Sequence, residues 1–80
     1  MQLKIIAFGI ARDIVGQPTI TFDLATGESV GDLKAALAKA YPKLDALASL
    51  AIAVNQEYAK NEICLSPEDE IVLIPPVSGG

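Results

Sequence analysis

An α+β fold, one mixed sheet with a single main helix packed across one face, is what this chain of 80 residues predicts. Three observations carry that prediction. Short β-rich apolar runs stand at both ends of the chain, a longer run with helical spacing stands between them, and Gly and Pro punctuate the joins. A chain of this length makes one domain with a core near the lower end of what folds unaided.

Leu3 to Phe8 is the first apolar run, ended by Gly9 and the charged pair Arg12-Asp13, which read as a turn. Val15-Gly16-Gln17-Pro18 supplies turn chemistry before a second strand, Thr19 to Leu24, so the two strands read as a hairpin. Ser29 caps the following helix, with Asp32 three residues on in place of the usual Glu or Gln of a capping box. Val30, Leu33, Leu37 and Ala40 or Tyr41 recur on one helical face and leave Lys34 and Lys39 toward solvent. Pro42 ends the helix, because the residue before a proline is pushed out of helical geometry. Leu44, Leu47 and Leu50 predict one or two further helical turns. Ala51 to Asn55 is a third strand, with Ile52 and Val54 on one face. Gln56-Glu57 turns the chain toward Tyr58, and Ile63-Cys64-Leu65 adds a short edge piece. Ser66-Pro67-Glu68-Asp69 is a solvated turn, and Glu70 to Ile74 is the last strand.

The order β-β-α-β-(β)-β in so small a chain matches the β-grasp, or ubiquitin-like, plan. That plan sets the first and last strands side by side, and the helix supplies the crossover that a parallel pair needs. The expected organisation is a β-grasp domain over residues 1–75 and a flexible, extended C-terminal tail over 76–80.

Composition narrows the function. With no histidine, Ser-His and Cys-His nucleophiles and His-based metal sites are excluded. Cys64 is the single cysteine; flanked by Ile63 and Leu65, it reads as a small buried hydrophobe with no role. One cysteine forms no internal disulfide, which fits a reducing compartment, and the first residues show no signal-peptide layout, so the expected home is the cytoplasm. A net charge of −4 with six scattered basic residues opposes nucleic-acid binding and suits a basic partner. No apolar stretch is long enough to span a membrane, so no membrane partner is expected. No bound cofactor or metal is expected either. If such a chain takes part in a reaction, it is expected as a participant and not as a self-contained catalyst.

Gly79-Gly80 reads either as a frayed terminus or as the part that acts. Glycine averages about 7% of residues, so a chance pair at two chosen positions is expected in about one chain in 200. A chain ending in paired glycines offers a carboxylate with no side chain beside it, able to thread a narrow channel into another protein's active site. Pro75-Pro76 ahead of it locks φ near −65° twice and makes a stiff spacer. Alternation also produces a misfit at the root of this tail. If Leu3, Ile5, Ile71 and Leu73 face the helix, Ile6, Phe8, Val72 and Ile74 face the other way, where a single helix leaves water. Bulky apolar groups there, with Tyr58 as a neighbour, predict a partner-docking patch unless the Leu44–Leu50 segment folds over it. Arg12, with its planar fork, is a candidate for a partner carboxylate.

Together these residues resemble the small, sulfur carrier subunit of molybdopterin synthase over nearly the whole chain. The resemblance rests on Phe8-Gly9-Ile10-Ala11-Arg12-Asp13-Ile14-Val15-Gly16, on Ala53-Val54-Asn55-Gln56, and most specifically on Asp69 through the closing Pro75-Pro76-Val77-Ser78-Gly79-Gly80. Gly9, Asp13 and Ile74 depart from residues frequent in the family, away from the reacting end. The resemblance implies that an activating enzyme spends ATP to adenylate the Gly80 carboxylate, and that a sulfur-donor protein then converts it to a thiocarboxylate. It further implies insertion of Pro76, Val77, Ser78 and Gly79 into the large subunit, where sulfur passes to cyclic pyranopterin monophosphate. The implied assembly is a heterotetramer of two small and two large subunits, with the catalytic groups on the large one. Phe8, Arg12, Tyr58, Val72, Ile74 and Pro75 are the expected partner interface. Three alternatives share the plan: a thiamine-pathway sulfur carrier, which usually lacks the Pro-Pro-Val run; a ubiquitin-like protein modifier; and a non-covalent binding module with an inert tail.

Overall fold

The computed structural model describes residues 1–46 and 50–75. The elements follow as β1 (Gln2–Ala7), α1 (Gly9–Val15), β2 (Thr19–Asp23), α2 (Val30–Ala40), α3 (Pro42–Asp45), β3 (Ala51–Val54), β4 (Glu57–Tyr58) and β5 (Ile71–Ile74). The strands make one mixed sheet in the order β2-β1-β5-β3-β4. As expected for the β-grasp plan, β1 and β5 lie parallel at the centre, with Ile5 opposite Ile71 and Ala7 opposite Leu73. The other pairings are antiparallel, Ile5 facing Ile20 across β1–β2 and Ile52 facing Leu73 across β3–β5.

Alternation decides which side of the sheet holds the core. Leu3, Ile5, Ile71 and Leu73 are completely buried against Val30, Leu33 and Leu37 of α2. Each such side chain contributes about 1.5–3 kcal/mol relative to remaining in water. At the start of α2 the capping box forms as read: the Asp32 amide donates to Ser29 Oγ at 3.3 Å, and the Ser29 amide donates to Asp32 Oδ2 at 3.0 Å. Helix α2 ends at Ala40, where Tyr41 donates its amide to the Leu37 carbonyl at 2.7 Å and Pro42 prevents continuation. Tyr41 packs half-buried against the core while Ala40 is exposed, and Lys39 is exposed with Lys34 only half so. Ser29→Ala should lower stability by about 1 kcal/mol. In a domain of this size that is a melting-point drop of roughly 4–8 °C by calorimetry; an unshifted transition would show the cap to be redundant.

The segment after β1 departs from the sequence reading. Gly9 to Val15, expected as a turn carrying Arg12 and Asp13, is a seven-residue helix. Ala11 and Val15, four residues apart, are buried at 0% and 9% exposure, so the helix is held by burying one edge in the core. Gly16 is its left-handed C-cap (φ 85°), and its amide donates to the Arg12 carbonyl at 2.8 Å. The connection between β1 and β2 is therefore a helical insert and not a tight hairpin, although the two strands do pair.

Pro42 opens α3 at its first position, and Leu44 is 2% exposed within the same core as α2. Leu44 thus packs on the helix side and does not cover the opposite sheet face; Leu47 lies outside the described residues. The turn after β3 falls one residue earlier than read, on Asn55 and Gln56, both at positive φ (53° and 72°), as a two-residue hairpin turn requires. Asn55 also ties this turn to the next one: its Nδ2 donates to Asp69 Oδ1 at 2.9 Å, and its Oδ1 accepts from the Glu70 amide at 3.0 Å. The edge piece at Ile63–Leu65 reduces to a single bridge, Cys64 to Ser29. Cys64 is exposed, contrary to the buried reading, because this stretch lies along the start of α2 by backbone bonds and buries only Leu65. Among the described residues no helix is long and apolar enough to cross a membrane.

Candidate functional site

The root of the tail is built on the most constrained strand. β5 is hydrogen-bonded on both sides, to β1 along Ile71–Leu73 and to β3 along Ile71–Ile74, so its end has a fixed direction. Pro75 follows immediately and is half-buried. It rests against the start of α1: a Cβ placed on Gly9 would stand 3.3 Å from Pro75 Cγ. Gly9 has φ +55°, a conformation that glycine adopts without the penalty a side chain carries. The last residue of the stalk that the structure describes is therefore braced by the sheet on one side and by α1 on the other.

Across the face turned away from α2, one row of paired residues crosses all five strands: Thr19, Ile6, Val72, Ala53 and Tyr58. The neighbouring row, toward the tail, pairs Ile74 with Ala51, and the chain leaves β1 into Phe8 at that end. Ile6, Val72, Ile74 and Ala51 are half-buried, Phe8 is 56% exposed and Tyr58 is 74% exposed. From Ile6 to Tyr58 is three strand spacings, about 14 Å. The row on the other side is polar, with exposed Lys4 opposite exposed Thr21. The outer face is thus divided, apolar beside the tail and polar away from it. Such a division confines favourable docking to the end where the tail leaves.

Of the residues singled out from sequence, Val72, Ile74 and Pro75 lie along the end of β5, Phe8 follows the parallel β1 at the same end, and Tyr58 stands two strands away in the row of Val72. Arg12 is not on the sheet face. It lies one helical turn from Phe8, whose carbonyl accepts from the Arg12 amide at 3.3 Å, and it is exposed with no ion pair among the described residues. Pro76, Val77, Ser78, Gly79 and Gly80 lie outside the described residues. Ile10, 49% exposed on α1 two residues after Phe8, is a surface residue that the turn expected over this segment does not single out. The helical spacing of Ala11 and Val15 was the signal that could have found it. Cys64 and Ile63 sit beside the start of α2, away from the Gly9–Pro75 contact. Among the described residues there is no group of three or more acidic or cysteine side chains placed to hold a metal, and no buried side-chain polar atom without a partner. What this arrangement can do is present an apolar surface beside Pro75.

The ThiS family matches residues 5–80. The molybdopterin synthase sulfur carrier subunit of Chlamydomonas reinhardtii is 37% identical over 83 residues, covering the whole of both chains. That of Dictyostelium discoideum is also 37% identical over 83 residues, covering 99% of this chain and 96% of the other. Among solved structures, a putative molybdopterin converting factor subunit 1 from Pyrococcus furiosus superposes with a TM-score of 0.86 at 26% identity, covering 96% and 99% of the two chains. Small archaeal modifier protein 1 from Haloferax volcanii gives 0.81 at 25% identity, covering 95% and 98%. A chain of the complex between subunits 1 and 2 of the molybdopterin-converting factor from Helicobacter pylori gives 0.67 at 25% identity, with both chains fully covered.

Proposed function

Because the chain belongs to the ThiS family, among the sulfur carrier subunits of molybdopterin synthase, we propose that its Gly80 carboxylate is the atom group that carries the sulfur. The sulfur carrier role and a large-subunit partner follow from the family. The chemistry at Gly80 is the further step. An activating enzyme joins the carboxylate to the α-phosphate of ATP with loss of pyrophosphate, giving an acyl adenylate. Hydrosulfide released by a donor protein then attacks the carbonyl, forming the C–S bond as the C–O bond to AMP breaks, and leaves a thiocarboxylate at Gly80. With Pro76 to Gly79 threaded into the large subunit, the sulfur passes to cyclic pyranopterin monophosphate, and two such transfers complete the dithiolene.

The physical logic is consistent at each step. A free carboxylate is a poor acyl donor, and adenylation gives it a stable leaving group. Glycine at the last two positions admits any φ and lets the backbone pass close to a partner's active site. The observation that carries the reading is the placement of the tail root: a doubly paired central strand, the braced Pro75, and an apolar face beginning beside them. Docking buries that face through Phe8, Tyr58, Val72, Ile74 and Pro75, with Arg12 available to a partner carboxylate, and the same contact points the tail inward. A heterotetramer of two small and two large subunits is the assembly proposed.

Intact mass after incubation with ATP, the activating enzyme and a sulfur source tests this. The expected result is replacement of one oxygen by sulfur, mapped by fragmentation to Gly80. A chain left unchanged in mass, with an active enzyme shown by a control substrate, would contradict the proposal. The likeness to small archaeal modifier protein 1 supports a second use, in which the activated Gly80 forms isopeptide bonds with lysines. Conjugates containing the Gly80 carbonyl in a tryptic digest of cell extract would establish it, and their absence under conditions that accumulate the thiocarboxylate would remove it.

A further inference from the structure

The sheet patch alone is smaller than the interface it has to make. Its apolar part spans about 14 Å across the strands and about 7 Å along them, roughly 300 Å² with the reach of the side chains included. A stable protein–protein contact buries about 800 Å² on each partner. The inserted tail adds area, but a tail in a channel does not stop the domain turning about its own stalk. Extension over the polar row would bury Lys4 and Thr21, with a desolvation cost for each group left unpaired. Extension the other way meets α1. Gly9 stands close enough to Pro75 that an added Cβ would lie 3.3 Å from Pro75 Cγ, and the next residue, Ile10, is an exposed aliphatic side chain two positions on from exposed Phe8.

We propose that the first turn of α1, presented through Ile10, is a second wall of the same docking surface, covered by an apolar surface of the large subunit when the tail is engaged. This rests on the docking reading above and adds to it a direction. The partner straddles the tail root, touching the sheet on one side and α1 on the other. Two walls in different elements resist rotation of the domain where one flat patch does not. Ile10 is a contact residue in this scheme; the tail and its carboxylate do not depend on it for folding or activation.

Titration calorimetry of the small chain into the isolated large subunit tests the inference. Ile10→Asp is expected to weaken binding by about tenfold or more, and Ile10→Ala by a few-fold, the scale of a contact within an interface. Ile63→Asp is the control: Ile63 is 45% exposed, close to the 49% of Ile10, but stands beside the start of α2. It should bind as the unchanged chain does. Thermal unfolding confirms that each variant is folded, and Ile10→Ala remains informative if Ile10→Asp is not. Affinity within about twofold for both Ile10 variants, while Phe8→Asp weakens binding, would overturn the second wall and leave the sheet patch standing. Equal weakening by Ile10→Asp and Ile63→Asp would also overturn it, as a general effect of added negative charge. If Phe8→Asp and Ile74→Asp were silent too, the docking reading itself would fail, and this inference with it.

Discussion

Deleting Gly79-Gly80, or adding one residue after Gly80, is expected to abolish sulfur transfer and leave the unfolding transition where it was. Folding is expected to be indifferent because the buried core among the described residues runs from Leu3 to Leu73. Transfer is not, because in the proposed chemistry the reacting group is the terminal carboxylate. An added residue removes that carboxylate from the second glycine and puts a side chain or an extra peptide unit where the activating enzyme must reach. Deletion leaves a terminal serine, with a Cβ where the backbone has to pass closely, and a stalk two residues shorter. That shortening is about 7 Å at extended spacing, far more than the misplacement that costs an enzyme a hundredfold. The measurement is dithiolene formation in a reconstituted system, with intact mass to locate the lost step. A truncated or extended chain that still supports synthesis would remove Gly80 from the chemistry.

The second large effect belongs to the outer face. Phe8→Asp or Ile74→Asp should weaken binding to the large subunit by about 2–4 kcal/mol, the range of an interface hot spot, or roughly thirty- to a thousandfold in dissociation constant. Ile74 is the more telling position. It is the last residue of β5, paired with Ala51, and a carboxylate there would have to be desolvated next to the root of the tail. Phe8 is more than half exposed, so its replacement leaves the fold unharmed. Calorimetry with wild-type large subunit reads the effect directly. Unchanged affinity for both variants, with normal melting curves, would make the apolar face ordinary surface.

Much of this site was legible from single residues. The side-chain period of two in a strand needs no partner to be read, so the division of Leu3, Ile5, Ile71 and Leu73 from Ile6, Val72 and Ile74 followed from sequence and agrees with the burial. Ser29 with Asp32 marked the start of α2 because the cap is a contact within four residues. The turn at Ser66 to Asp69 was legible for the same reason, and Asp69 closes it by accepting from the Ser66 amide at 2.8 Å. Helix α1 was not. Seven residues starting with glycine carry no helical signal beyond the spacing of Ala11 and Val15, and only the burial of those two in a core assembled elsewhere makes the helix worth forming. Ile10 was missed with it. Cys64 was misjudged because its apolar neighbours suggested burial, whereas its exposure is decided by a backbone bridge to Ser29, far off in the chain.

By itself the amino-acid order determined the paired glycines for which the chemistry is proposed, the proline pair before them, and the presence of apolar groups on two faces of one sheet. These depend on covalent structure and on local periodicity. Only the tertiary structure decided that Tyr58 and Ile6 share a row, that the apolar part of that face stops at Lys4 and Thr21, and that Pro75 leans on Gly9. Strand order and register come from contacts between segments remote in the chain, whose free energy is realised only when the whole sheet closes over α2.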